Sequence, residues 1–144
     1  MKMRLEEKKA FYVSGYSMET TEATLEKDVL TLREKYEAKL RSISDCLYFV
    51  SWEKDEKMIY HFSAPTPNTT TEGMTRVEVP AGHFAIATVP EGMPTLAAWH
   101  QFFETLTPTL NVDIDMKATH YVEYFAENGI CELWIPVSVS EVKS

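Results

Sequence analysis

The chain has 144 residues, 44% of them hydrophobic and 25% charged, with 14 Lys+Arg against 22 Asp+Glu for a formal charge of −8. Such a length suits one domain that buries its own core without a disulfide or metal staple, and the composition excludes disorder as a global description. The acidic balance argues against a groove that tracks phosphates, and no apolar run approaches the roughly 18 residues of a membrane span.

The first residues, Met1-Lys2-Met3-Arg4-Leu5-Glu6-Glu7, carry charges where a signal peptide would carry its apolar run, so a cytoplasmic location is expected and residues 1–9 read as a short charged lead. Residues 9–16 are aromatic and β-branched and predict a strand. Leu25, Val29, Leu32, Tyr36, Leu40 and Ile43 then step by three or four residues, which draws one apolar stripe along a helix. Thr20 or Thr21 can cap it, and Glu22 and Glu26 suit the positive end of its dipole. Residues 47–52 and 58–63 predict two strands joined by the charged turn Glu53-Lys54-Asp55-Glu56-Lys57. Residues 64–73, with Pro65, Pro67 and three successive threonines, read as a linker.

The second half repeats this order. Residues 76–89 are extended and broken at Pro80-Ala81-Gly82. Pro94 stands at the first turn of a second helix, Leu96, Trp99, Phe102, Phe103 and Leu106 form its apolar face, and Pro108 is expected to stop it. Residues 120–126 and 130–139 predict a hairpin around Asn128-Gly129. Phe11 and Phe84, Leu25 and Leu96, Tyr48 and Tyr121, and Tyr60 and Glu132 are separated by 73, 71, 73 and 72 residues. The near-constant offset predicts an α+β fold: a duplicated β-α-β-β unit with pseudo-two-fold symmetry and antiparallel sheets covered by helices. The expected organisation is a single domain over residues 1–144, with halves of about 1–75 and 76–144 and a central ligand cleft between them.

Strand residues alternate faces, so parity sorts candidate core from candidate cleft. In the last hairpin Val122, Tyr124, Leu133, Ile135 and Val137 form an apolar set expected under the helices. The other parity collects Tyr121, Glu123, Phe125, Glu132 and Trp134, and in the first half Tyr48, Val50, Trp52, Tyr60 and Phe62. Aromatic side chains crowd this second face in both halves, where a solvated face would be polar. Aromatic walls around a carboxylate suit a flat or cationic organic molecule. Glu132 and Trp134 are therefore expected to share a cavity with Tyr48, Trp52 and Tyr60, with Leu133 and Ile135 turned to the helices. His61, His83, His100 and His120 have no ligand spacing, and Cys46 and Cys131 have neither metal nor disulfide spacing, so neither metal nor cofactor is expected. Trp99 reads as core.

The run Val79-Pro80-Ala81-Gly82-His83-Phe84-Ala85 before a helix, then Tyr121-Val122-Glu123-Tyr124-Phe125, then Glu132-Leu133-Trp134-Ile135-Pro136-Val137, resembles the GyrI-like family. These are effector-binding domains of bacterial multidrug regulators and their stand-alone relatives. The resemblance implies a duplicated strand–helix–strand–strand fold with a ligand cleft on the pseudo-dyad, lined by Glu123, Glu132 and Trp134. The chain lacks room for a helix-turn-helix, so it resembles a stand-alone member with no direct nucleic-acid binding.

The expected function is binding of a small, largely apolar or cationic aromatic molecule, as a sensor or sequestering protein. The ligand set is Glu123, Glu132, Trp134, Tyr121, Tyr48, Trp52 and Tyr60. A first alternative, implied by hydrolases among the relatives, is hydrolysis of reactive strained-ring toxic compounds, with Glu132 or Glu123 as general base and Tyr121 or Trp134 orienting the substrate. A second is a gyrase-interacting inhibitor protein. A small-molecule partner is expected and a membrane is not; a homodimer is left open.

Overall fold

Alternating strands and two amphipathic stripes give, in the computed structural model, which describes residues 1–65 and 73–138, β1 (Met3–Lys8), β2 (Phe11–Thr20), α1 (Leu25–Arg41), β3 (Leu47–Lys54), β4 (Lys57–Pro65), β5 (Thr75–Val79), β6 (Gly82–Thr88), α2 (Thr95–Leu110), β7 (Asp113–Ile114), β8 (Tyr121–Phe125) and β9 (Cys131–Ser138). The sheet runs β1-β6-β9-β8-β3-β4-β2-β5, with β7 paired to the far end of β9. The fold is α+β, as expected, and every ladder among the described residues is antiparallel.

This order is its own mirror about the β3–β8 ladder. Val50 faces Val122 there, and the two are 72 residues apart, so the pseudo-dyad passes through that pair. The lead strand of each half crosses over: β1 pairs with β6 of the second half, and β5 pairs with β2 of the first. The charged lead at residues 1–9 is thus an edge strand, which the sequence reading missed. Met3 packs under α2 while Arg4 and Glu6 alternate to the other side, and such a charged edge resists pairing with another chain.

β2 and β9 are four places apart in the sheet, which would separate them by roughly 19 Å if it were flat. The Phe11 and Trp134 rings are instead 6.0 Å apart, and only Pro80 and Ala81 join β5 to β6. The sheet therefore curls. Its inner face holds Val13, Val50, Val79, Phe84, Ile86, Val122 and Trp134, and both helices pack on the outer face. Gly15 permits the tight lateral packing of β2, since a Cβ there would lie 1.9 Å from the Phe62 carbonyl oxygen.

Several local expectations need correction. Thr24, not Thr20 or Thr21, is the N-cap of α1, without a side-chain cap bond; Thr20 Oγ1 instead donates to Asp28 Oδ2 at 2.8 Å. Ile43 lies beyond the helix and is exposed. Pro94 is the N-cap of α2, and Pro108 sits inside the last turn. A proline there forfeits one terminal hydrogen bond, so the helix runs on to Leu110, where Asn111 ends it in the left-handed conformation with φ 56°. Ala64 and Pro65 complete β4; the rest of the expected linker, at residues 66–72, and Val139 lie outside the described residues. No described helix is long and apolar enough to cross a membrane.

Candidate functional site: a cavity between the helices

The two helices leave a cavity of about 680 Å³ on the outer face, where the start of α1 approaches α2 across the middle of the sheet. Both halves build it. Ser51 of β3 and Tyr121 of β8 are register partners beside the dyad, and Tyr60 of β4 extends this floor. Trp99 and Phe103 form the α2 wall because they are four residues apart and share a helical face; their rings stack at 5.9 Å. Phe103 and Met116 are exposed at the mouth, with Glu22 and Glu53 also on the lining.

Behind the Trp99 wall lies Glu123. It is 6% exposed, and its Oε1 accepts a hydrogen bond from Trp99 Nε1 at 2.6 Å. Its register partners, Phe49 and Leu133, are buried core residues. Loss of hydration raises the Glu123 carboxyl to about 7, against the lowering effects of the Trp99 bond and the Arg33 charge. Burial, then the Glu123 charge, pushes the Tyr60 phenol far above its usual range. Burial also raises Tyr121, helped by the charges of Glu53 and Asp115. The floor thus carries two neutral phenols, and a carboxyl poised near neutrality stands behind the wall.

The expected site residues divide between the two faces. Tyr121 and Tyr60 line the cavity from the outer face, Trp52 touches its edge although it packs with the inner-face cluster, and Glu123 stands behind it. Glu132, Trp134 and Tyr48 lie on the inner face. There Arg4 Nη2 donates to Glu132 Oε2 at 2.8 Å and Trp134 Nε1 to Glu132 Oε1 at 3.2 Å. The Trp134 ring meets those of Phe11, Tyr48, Phe84 and Tyr124 at 5.7–6.0 Å, with the Lys8 ammonium 4.8 Å from its centre.

Leu133 and Ile135 do pack under α2 while Glu132 and Trp134 oppose them. The parity sort failed where it crossed turns. The two-residue turn after Lys54 pairs Ser51 with Tyr60, so Tyr60 and Phe62 share a face with Phe49 and not with Tyr48 and Trp52. In the last hairpin Val122 pairs with Trp134 and Glu123 with Leu133. Glu123 and Tyr121 therefore face the helices, Val122 and Tyr124 face inward, and the trio Glu132, Glu123 and Tyr121 is not brought together. Trp99, Phe103 and Ser51 were missed as lining residues; the 99/103 aromatic spacing was the available signal. A smaller cavity of about 290 Å³ near the β5–β6 connection holds none of the expected site residues.

Comparison with known proteins follows this architecture. The integron cassette protein VCH_CASS2, from the mobile metagenome of Vibrio cholerae, superposes with a TM-score of 0.73 at 19% identity, covering 94% of this chain and 95% of that one. SAV2435, in a structure bound to tetraphenylphosphonium, gives a TM-score of 0.75 at 12% identity, covering 96% and 94%. A hydrolase from Listeria innocua gives 0.57 at 12% identity, covering 95% and 92%. No curated protein matches in sequence. The sequence profile of the integron-associated effector binding proteins, Cass2, matches residues 4–137, and the chain belongs to that family, with a GyrI-like effector-binding domain.

Proposed function

We propose that the protein binds a bulky, aromatic, monocationic small molecule in the cavity between its helices, as a sensor or sequestering protein. Family membership supports small-molecule binding in general; the cavity supports the finer reading. The observation that carries it is a carboxyl buried directly behind an aromatic wall, without an ion pair of its own among the described residues. Trp99, Phe103, Tyr60 and Tyr121 offer π faces to a delocalised cation, each contact contributing roughly 0.5–2 kcal/mol. Glu123 supplies the counter-charge through a dry wall, where charge pairing is stronger than in water. About 680 Å³ falls within the usual range for a drug-sized ligand.

Titration calorimetry with tetraphenylphosphonium, which SAV2435 holds, and the neutral triphenylphosphine oxide tests this reading. Glu123→Gln keeps the acceptor for Trp99 but removes the charge. It is expected to weaken the cation by about tenfold and the neutral compound by less than about threefold. Equal losses for both compounds would refute the charge pairing.

Hydrolysis is the second reading. A carboxyl near 7 is matched to general-base work, and Tyr121 lies on the same face as Glu123. Turnover of a strained-ring electrophile that Glu123→Gln abolishes would favour it over binding alone.

A further inference from the structure

We infer that an organic cation enters the cavity in exchange for a proton on Glu123, so that capture is switched by pH; the inference rests on the cation-binding reading above.

Among the described residues, Glu123 has no ion-pair partner. From α2 it meets the Trp99 indole, which donates to Oε1 whether the carboxyl is ionised or neutral and leaves Oε2 to carry the proton. His100, beside Trp99 on the same helix, lines the cavity. From α1 the charge that reaches Glu123 is Arg33, but its Nε is bonded to Glu37 at 3.0 Å and its guanidinium lies 4.8 Å over the Phe125 ring. From β4 comes the Tyr60 phenol, kept neutral by burial. From β9 comes the Cys131 thiol, which burial and then the Glu123 charge push up to about 12, so it too stays neutral. Phe49 on β3 and Leu133 on β9 flank the residue in register, and Tyr121 and Phe125 are its same-face neighbours on β8. An ionised Glu123 is thus an under-compensated buried charge. Burial without a counter-ion therefore favours the neutral carboxyl when no cation is bound.

A cation seated against Trp99 and Tyr60 changes this balance. It supplies the missing positive charge, favours the carboxylate and expels the proton to solvent. Linkage makes the effect reciprocal: the factor by which ionisation tightens the cation is the factor by which the cation acidifies Glu123. A neutral ligand of the same shape expels no proton. The acids Glu22 and Glu53 on the lining attract cations without being buried behind the wall, so general steering toward the mouth does not predict this exchange.

The test is calorimetry of tetraphenylphosphonium binding to the full chain between pH 5.5 and 8, in buffers of different ionisation enthalpy. Wild-type affinity is expected to rise about tenfold across that range, in line with the loss expected for Glu123→Gln, with a fraction of a proton released per cation near pH 7. Triphenylphosphine oxide should bind with a flat profile, and Glu123→Gln should flatten the profile for the cation. Wild-type cation affinity changing less than threefold, or the same pH slope persisting in Glu123→Gln, overturns the proton exchange while leaving cation binding intact. Failure of the folded wild type to bind either compound at any pH overturns the binding reading itself. Should Glu123→Gln not fold, the wild-type profile and its buffer-dependent enthalpy decide the matter alone.

Discussion

Two buried ionisable side chains, Glu123 and His61, act on stability in opposite directions across the acid range. Glu123 moves from 4.5 to about 7 on folding, so the native state holds a proton that the unfolded chain has released. Its stabilisation is complete below about 4.5 and is lost as pH rises through 7, a change of about 3 kcal/mol. His61 is fully buried, and its Nε2 donates to the Thr75 carbonyl at 2.9 Å while Nδ1 has no partner among the described residues. Burial lowers it from 6.5 to about 4, so its stabilisation is present above 6.5 and is lost as pH falls through 4. Between about 4.5 and 6.5 the two slopes oppose each other. Urea unfolding of Glu123→Gln should therefore show its stability, relative to wild type, increasing by about 3 kcal/mol from pH 4.5 to 8. It should also show the His61 loss unmasked on acidification. A difference between the two proteins that does not vary with pH would contradict this account.

At the level of elements, the β3–β4 hairpin closes through two residues, Asp55 and Glu56, both left-handed with φ of 52° and 65°. A primed turn matches the twist of the flanking strands, but Glu56 bears a Cβ in a region that favours glycine. Glu56→Gly creates an Asp-Gly turn and should stabilise the protein by about 1 kcal/mol, read as a higher melting temperature. A lower melting temperature would mean that the Glu56 side chain contributes more than its backbone strain costs. The final hairpin already has glycine where it is required: Gly129, at φ 86°, donates its N–H to the Ala126 carbonyl. In both hairpins the turn sets the register, and through it the face each carboxylate or ring occupies.

For the whole molecule, the pseudo-dyad at Val50 and Val122 explains why the cavity lies between the helices: each half covers its own part of the outer face, and neither helix covers the joint. Phe102 holds α2 to the sheet. It is fully buried among Ala85, Leu106, Leu133 and Ile135, three residues from Trp99. Phe102→Ala should cost about 3–5 kcal/mol in urea unfolding and weaken tetraphenylphosphonium, because the aromatic wall moves with its helix. The Arg4–Glu132 pair, half exposed on the Arg4 side, should contribute less than about 1 kcal/mol by the same measurement on Arg4→Ala. If Arg4→Ala destabilised as much as Phe102→Ala, edge electrostatics would have to be ranked with the core.

Sequence alone determined the α+β class, both helices, the final hairpin and the duplicated order, because these depend on local periodicity, turn residues and a repeating offset. It also opposed Leu133 and Ile135 to Glu132 and Trp134, since alternation within an unbulged strand is local. Only the tertiary structure decided which face of the curled sheet each strand's residues joined. Parity does not carry across a turn: the Asp55-Glu56 turn placed Tyr60 opposite to Tyr48, and the register of the last hairpin placed Glu123 opposite to Glu132. The β1 strand was invisible for a related reason. Its residues Met3-Arg4-Leu5-Glu6-Glu7-Lys8 are too charged to announce a strand, and its partner β6 belongs to the other half of the chain. The pairing of Trp99 with Glu123 was equally hidden, because it joins a helix and a strand 24 residues apart and exists only once α2 packs on the outer face of the sheet.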